Sequence, residues 1–313
     1  MSVLVTGASG LIGSALVDHL LTTPVSRVVA ALRTADSGWS VPQRAMGNMA
    51  AGEVPAGLLD GIDVVVHLAA RVHVMNETSS DPLQAFRAVN VQGTQALLQA
   101  AAKAGVRRFV FVSSIKVNGE STDAQPFSES DPANPQDPYG QSKWEAEQLV
   151  RAFCEEHGME WVIVRPPLVY GAGVQANFLR LLQALARNRP LPLGALHNRR
   201  SLVALDNLVD FLRLCTTHPA AANELFLISD GKDLSVAELA RHMRSALQSR
   251  SWLVPVPAGL LSTGLRLLGA SGAAQRLCGE LRVDSRKAQA QLQWQPPASV
   301  DEVIHKAVAA MQR

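Results

Sequence analysis

A short apolar run, Val3-Leu4-Val5-Thr6, leads directly into Gly7-Ala8-Ser9-Gly10-Leu11-Ile12-Gly13, and an apolar helical pattern follows. Glycines at this spacing between a strand and a helix constrain the chain more than any other feature it has. Gly7 permits a tight turn, Gly10 removes a Cβ where an anion would approach, and Gly13 lets helix and strand pack closely. The unsatisfied N–H groups of a helix start favour negative charge, so the loop reads as a cradle for the diphosphate of a dinucleotide, with Leu11 and Ile12 beside it. A glycine triplet alone could be only a tight turn; its place one strand from the N-terminus favours the dinucleotide.

Further apolar runs at Val28 to Leu32, Val64 to Leu68, Phe109 to Val112 and Trp161 to Val164 alternate with helical patterns. They are rich in β-branched residues and lack polar alternation, which suits parallel strands covered on both faces. The fold class is therefore α/β: a Rossmann-type, doubly wound parallel sheet with a smaller, interleaved C-terminal lobe. Residues 1–170 form the dinucleotide-binding part, to which about 203–230 return through Leu225-Phe226-Leu227-Ile228; residues 171–313 form a lobe that does not fold independently. Gly105 and Gly158 stand as glycines just past two helices, and Ser235-x-x-Glu238 and Ser299-x-x-Glu302 are capping boxes that open two late ones. No repeat or flexible linker interrupts the chain.

Composition narrows the partners. The 313 residues are 47% hydrophobic, enough for a large core, and 29 Lys and Arg against 27 Asp and Glu give a formal charge of +2. That balance offers no broad basic surface for nucleic acid. Three distant cysteines, Cys154, Cys215 and Cys278, suit a reducing compartment, and the lone Cys154-x-x-His157 pair is too little for a metal site, so no metal is expected. No leader is visible at the N-terminus, which points to the cytoplasm, where the sequon Asn76-Glu77-Thr78 would carry no glycan. Leu253 to Leu268 is apolar but broken by Pro255, Pro257 and Arg266, so it reads as a helix of the smaller lobe with its lead-in and not as a membrane insertion.

One of only two tyrosines stands in Asp137-Pro138-Tyr139-Gly140-Gln141-Ser142-Lys143. Four residues along a helix rise about 6 Å and return to nearly the same face, so Tyr139 and Lys143 can serve one site. A free phenol has a pKa of about 10, and an ammonium close by would lower it toward the range useful for proton transfer.

In this context the sequence resembles the extended short-chain dehydrogenase/reductase family, which includes nucleotide-sugar epimerases, dehydratases and reductases. The resemblance covers nearly the whole chain: the glycines, His67-Leu68-Ala69-Ala70, Asn90-Val91-Gln92-Gly93-Thr94, Ser113-Ser114, Tyr139-x-x-x-Lys143 and Arg165-Pro166-Pro167-Leu168-Val169-Tyr170-Gly171. It implies that Tyr139 is the general acid/base and that Lys143 lowers its pKa and bonds the nicotinamide ribose. Ser114, with Ser113 as the alternative, would hold the reacting oxygen. Asn90 would support the site, Leu68, Ala69 and Ala70 would line the dinucleotide, and Pro166 would shape the nicotinamide pocket. Relatives commonly dimerise through the helices after Asn90 and Tyr139, where Leu149, Val150 and Phe153 would suit a homodimer or the core.

NAD-binding relatives close the second strand with an acid. Here Val28-Val29-Ala30-Ala31-Leu32 ends in Arg33, whose guanidinium could meet a 2′-phosphate, so NADP(H) is preferred and NAD(H) remains possible. Asn48 and Met49 would border the adenine. The resemblance further implies a UDP-sugar held by Ser114, Lys116, Asn118, Tyr139, Asn177, Arg200 and Arg282, with Arg200 on the diphosphate. Dehydratases carry an Asp-Glu pair after the catalytic hydroxyl residue, whereas this chain has Ile115-Lys116, which leaves no carboxylic pair for elimination. Ser-Ser-Ile-Lys-Val-Asn-Gly at 113–119 looks most like the reductases of UDP-4-keto-6-deoxy sugars in surface-polysaccharide (O-antigen) synthesis. The leading expectation is therefore NADPH-dependent reduction at C4 of a UDP-4-keto-6-deoxy-N-acetylhexosamine. A UDP-hexose 4-epimerase with bound NAD is the alternative, and a non-catalytic NAD(P)-sensing module the remote one.

Overall fold

The computed structural model describes residues 1–25, 27–34, 38–72 and 80–312, so the sequon at 76–78 lies outside the described residues. In chain order the strands are β1 (Ser2–Thr6), β2 (Arg27–Leu32), β3 (Gln43–Ala45), β4 (Val64–His67), β5 (Arg108–Val112), β6 (Glu160–Arg165), β7 (Leu168–Tyr170), β8 (Leu202–Ala204) and β9 (Glu224–Leu227). Seven of them form one parallel sheet in the order β3-β2-β1-β4-β5-β6-β9, and β7 pairs with β8 in a separate parallel ribbon. The chain winds outward in one direction from β1 and in the other from β4, so a crevice opens at their carboxyl ends.

Helices cover both faces, which explains the continuous apolar runs. Val3 and Val5 face a core shared with Leu16, Val17 and Leu20 of α1 (Leu11–Leu21). Leu4 faces the opposite core. There α3 (Gly93–Lys103) contributes Leu97, Leu98 and Ala101, and α4 (Pro138–Glu156) contributes Ala146, Val150 and Cys154. Between β4 and α3 lies the short α2 (Pro82–Arg87), joined to α3 by a single π turn over Ala88–Gln92. Gly105 and Gly158 take φ of +74° and +64° directly past α3 and α4, the left-handed position that ends a helix without a Cβ penalty.

The remaining helices are α5 (Ala176–Ala186), α6 (Leu205–Thr217), α7 (Val236–Ala246), α8 (Ala258–Leu267), α9 (Ser271–Cys278), α10 (Arg286–Leu292) and α11 (Val300–Met311). Both capping boxes are formed, Ser235 with Glu238 on α7 and Ser299 with Glu302 on α11. A third core gathers Phe178, Leu182 and Leu185 of α5, Leu239 and Met243 of α7 and Ile304 of α11 around Tyr170 and Leu202. Segments from the second half also enter the sheet cores. Leu205, Leu208 and Phe211 of α6 pack beside α1, Ala288, Leu292 and Trp294 share that face, and Leu281 and Val283 reach the other. Among the described residues no helix is long and apolar enough to cross a membrane.

Candidate active site

The glycine loop is built as tightly as its spacing demands. Gly7 has φ +66°, and a Cβ there would lie 2.7 Å from the Ala69 nitrogen, so the loop after β1 touches the loop after β4. A Cβ on Gly13 would fall 2.2 Å from the Gly7 carbonyl oxygen. Gly10 is exposed at the start of α1, and no side chain caps that helix end. Backbone donors thus remain open beside Leu11, which suits the diphosphate of a dinucleotide.

Behind this loop runs a buried line of hydrogen bonds. Thr6 Oγ1 accepts from the backbone N–H of Leu68 and of Ala69, each at 3.2 Å, and lies 2.7 Å from His67 Nδ1. With both lone pairs engaged, the Thr6 hydroxyl must donate to Nδ1, which places the imidazole hydrogen on Nε2. Nε2 then donates to Thr94 Oγ1 at 3.0 Å, and Thr94 donates to the Asn90 carbonyl at 2.8 Å. Asn90 Nδ2 donates to Ser142 Oγ at 2.9 Å, and Ser142 donates to the Tyr139 carbonyl at 2.8 Å. Burial, followed by the charge of Lys143, lowers the His67 pKa to about 3, which agrees with a neutral ring accepting at Nδ1.

Asp137 caps α4: its Oδ1 accepts from Gly140 N at 2.6 Å, and Pro138 occupies the first turn. Gly140 is required because a Cβ would approach the Lys116 carbonyl oxygen to 2.8 Å. This contact seats the first turn of α4 on the 3₁₀ turn Ile115–Val117, whose N-cap is Ser114. Tyr139 and Ser114 meet there, both partly accessible. Burial pushes the phenol up to about 12, the Asp137 carboxylate adds to the rise, and the hydrogen bond from Ser114 opposes it. Ser113 is buried, with its hydroxyl unpartnered, so Ser114 is the serine at the phenol.

Lys143, one turn beyond Tyr139 on α4, is buried. Its Nζ donates to the Val112 carbonyl at 2.7 Å and lies 4.5 Å from the Phe111 ring centroid. Burial lowers its pKa to about 7, against the charge of Glu147 one turn further along α4.

Other residues singled out in the sequence are scattered around this centre. Leu68, Ala69 and Ala70 line the crevice half-buried, and buried Pro166 accepts from Ile115 N at 3.0 Å. Ile12 packs partly buried against the core beside α1. Arg33 is exposed just past β2, Asn48 caps the 3₁₀ turn Met49–Ala51, and Met49 backs onto Gly93. Lys116 is held in ion pairs with Asp137 and, at 2.9 Å, Glu120. Asn118 accepts from Arg165 Nη1 at 2.8 Å and donates to the Ser128 carbonyl at 3.3 Å, so its amide is engaged inside the protein. Arg282 Nη2 donates to the Asp123 and Ala124 carbonyls at 2.8 and 2.6 Å. Asn177 is exposed on the first turn of α5, and Arg200 donates to the Gly279 carbonyl at 3.1 Å. Cys154 is buried in α4, while His157 stacks on Phe153 at 3.9 Å between ring centroids.

A family model described as the NAD dependent epimerase/dehydratase family matches residues 3–229. The chain belongs to this family. Similar to this epimerase/dehydratase family member is a UDP-glucose 4-epimerase of Vibrio cholerae, 42% identical over 306 residues, 96% of this chain and 92% of the relative. The UDP-glucuronic acid 4-epimerase of Bacillus cereus in complex with NAD superposes with a TM-score of 0.79 at 21% identity, covering 100% of this chain and 99% of that one. RMD from Pseudomonas aeruginosa complexed with NADPH gives 0.75 at 21%, covering 99% and 98%. These two structures establish the shared fold.

In this family member two parts of the site escape sequence reasoning. One is the Thr6-His67-Thr94 line, which joins residues far apart in sequence. The other is buried Glu147, which takes a bidentate bond from Arg165 with Nε–Oε1 2.9 Å and Nη2–Oε2 2.5 Å. Its signal was present: Glu147 lies four residues beyond Lys143, on the same helix face.

Proposed function

We propose that this chain is a UDP-hexose 4-epimerase using a bound nicotinamide dinucleotide. The observation that carries the reading is the meeting of the Tyr139 phenol and the Ser114 hydroxyl at the carboxyl end of β5, on the helix tied through Asn90 and His67 to the loop after β1. The Vibrio cholerae relative supports the epimerase over the C4 reductase that the loop sequence favoured.

In the proposed reaction Ser114 holds the C4 oxygen, and Tyr139, as the phenolate that the positive charge of a bound oxidised nicotinamide would favour against burial, takes the hydroxyl proton as C4 is oxidised and gives it back as C4 is reduced. A bound nicotinamide supplies the acceptor and then the donor of the C4 hydride. Return to the opposite face inverts the centre with no net redox change. Ile115 and Lys116 follow Ser114, so those two positions offer no carboxylic acid/base pair to eliminate water from the sugar, and the nearby Asp137 and Glu120 carboxylates are tied to Lys116. The second reading, NADPH-dependent reduction of a UDP-4-keto-6-deoxy sugar, is favoured by one observation: exposed Arg33 follows β2 where an acid would select NAD.

One pair of assays separates them. With UDP-glucose and catalytic NAD, the epimerase yields UDP-galactose without net change in nicotinamide absorbance. If the protein leaves UDP-hexoses untouched and consumes NADPH stoichiometrically with a UDP-4-keto-6-deoxy sugar, the epimerase reading is lost to the reductase.

A further inference from the structure

The smaller lobe carries an apolar surface that neither the family match nor the candidate site uses. Four of the eight large apolar side chains exposed among the described residues fall within 252–268: Trp252 at 66%, Leu260 at 69%, Leu267 at 84% and Leu268 at 82%. The matched family region ends at residue 229.

Helix α8 is the centre of this surface, and none of its residues is fully buried. Ala258 and Leu261 face inward against Leu193, Leu196 and Ala237. On the outer side Leu260 and Leu267 stand two turns apart, with uncharged Thr263 and Gly264 between them. A helix apolar on both sides wants a partner on both, and the protein supplies only one.

The charge along this stretch of chain is one-sided. From Ser249 to Gly279 the chain has no Asp or Glu, but it has Arg250, Arg266 and Arg276, all exposed. The whole protein is nearly balanced at 29 basic and 27 acidic residues, so this stretch stands apart from the rest. Such a surface is a poor match for a second copy of itself, because a two-fold contact would set arginines against arginines with no acid between them. Exposed leucines, a tryptophan and unopposed arginines are instead the chemistry of a helix lying in the headgroup region of an anionic bilayer.

We propose that α8 and its flanks dock the protein on the surface of an anionic phospholipid membrane. The outer leucines enter the acyl boundary while the arginines meet the lipid phosphates. The helix is too short to span a bilayer, so the contact is peripheral. It also has a direction: α9 ends at Cys278, and the next residue, Gly279, receives the Arg200 guanidinium at 3.1 Å, so the membrane-facing surface adjoins Arg200. This inference is independent of which C4 reaction the protein performs.

The test is sedimentation of the full chain with phosphatidylcholine vesicles, with and without phosphatidylglycerol, at low and high salt. The protein should bind the mixed vesicles, bind neutral ones at least about tenfold more weakly, and release as salt rises. A Leu267→Ser/Leu268→Ser variant, changed only at exposed positions, should lose about tenfold or more in binding with its far-UV circular dichroism unchanged. An Arg266→Gln/Arg276→Gln variant should lose about twenty-five-fold, roughly fivefold for each arginine. Failure of the wild type to bind mixed vesicles, or equal binding by the leucine variant, overturns the proposal. A wild-type oligomer that the leucine substitutions dissolve would overturn it too, by assigning the surface to a second copy.

Discussion

Lys143 Nζ donates to the Val112 carbonyl oxygen at 2.7 Å, at the end of the strand that delivers Ser114. The bond gives the ammonium one neutral acceptor in a buried setting, and burial lowers its pKa from 10.5 to about 7. A folded-state value below the unfolded one means that the unfolded chain binds more protons between those limits. Stability at this position therefore rises with pH across that window and is lost as pH falls through it. In nucleotide-stripped protein, wild type should gain thermal stability on going from neutral to mildly alkaline pH relative to Lys143→Met. A melting-temperature gap that does not change with pH would place the ammonium in a well-solvated setting.

His67 has the same linkage sign in an acidic window, from 6.5 down to about 3. Here too the folded ring binds fewer protons than the unfolded one, so acidification through this range destabilises the fold. His67→Asn should flatten the loss of denaturant stability between neutrality and mild acid. An unchanged acid limb would remove His67 as its source.

Tyr139→Phe keeps the ring edge-to-face with Phe86 at 5.9 Å and deletes only the hydroxyl near Ser114. Turnover should fall by about 10²- to 10⁴-fold, the usual worth of a positioned acid/base, with dinucleotide affinity preserved. Turnover within a few-fold of wild type would take the phenol out of the chemistry.

Glu147 and Arg165 are a buried pair, exposed by 0% and 5%. Glu147→Gln strands the guanidinium and should cost about 3–5 kcal/mol in denaturant unfolding, whereas Glu147→Met combined with Arg165→Met should recover most of it. Loss of the Glu147 charge also removes the influence opposing burial at Lys143, so the lysine's apparent pKa in a pH profile should move further down.

Arg33→Ala should weaken NADP binding more than NAD binding, by about 10- to 150-fold in the ratio if the guanidinium meets a 2′-phosphate. Equal losses in a fluorescence titration would leave Arg33 as an ordinary surface charge.

Much of the fold was legible because its signals are local. Apolar runs such as Val3 to Thr6 report strands buried on both faces, and the spacing of Gly7, Gly10 and Gly13 reports a loop in which two missing Cβ atoms avoid clashes. The three residues Gln43–Ala45, by contrast, join the sheet edge without an apolar run, and β7 and β8 are equally short, so pairing and not composition makes them strands. At the site, Tyr139 and Ser114 were readable from motif and strand end. The destination of the Lys143 amine was not, because periodicity gives the helix face but not the acceptor that a side chain reaches. Asn118, Lys116 and Arg282 show the same limit: each is a polar residue in a suggestive place whose partner lies within the protein.

The hydroxyl of Thr6 has a reach beyond its own strand. While it donates to His67, the imidazole has one tautomer, Thr94 can point only at the Asn90 carbonyl, and the turn carrying Tyr139 stays in step with the loop that would grip the dinucleotide. Valine at this position would free the ring to move its hydrogen to Nδ1, and Thr94 would then swing from Asn90 toward Nε2. A methyl group would thereby uncouple the grip on one ligand from the aim at the other.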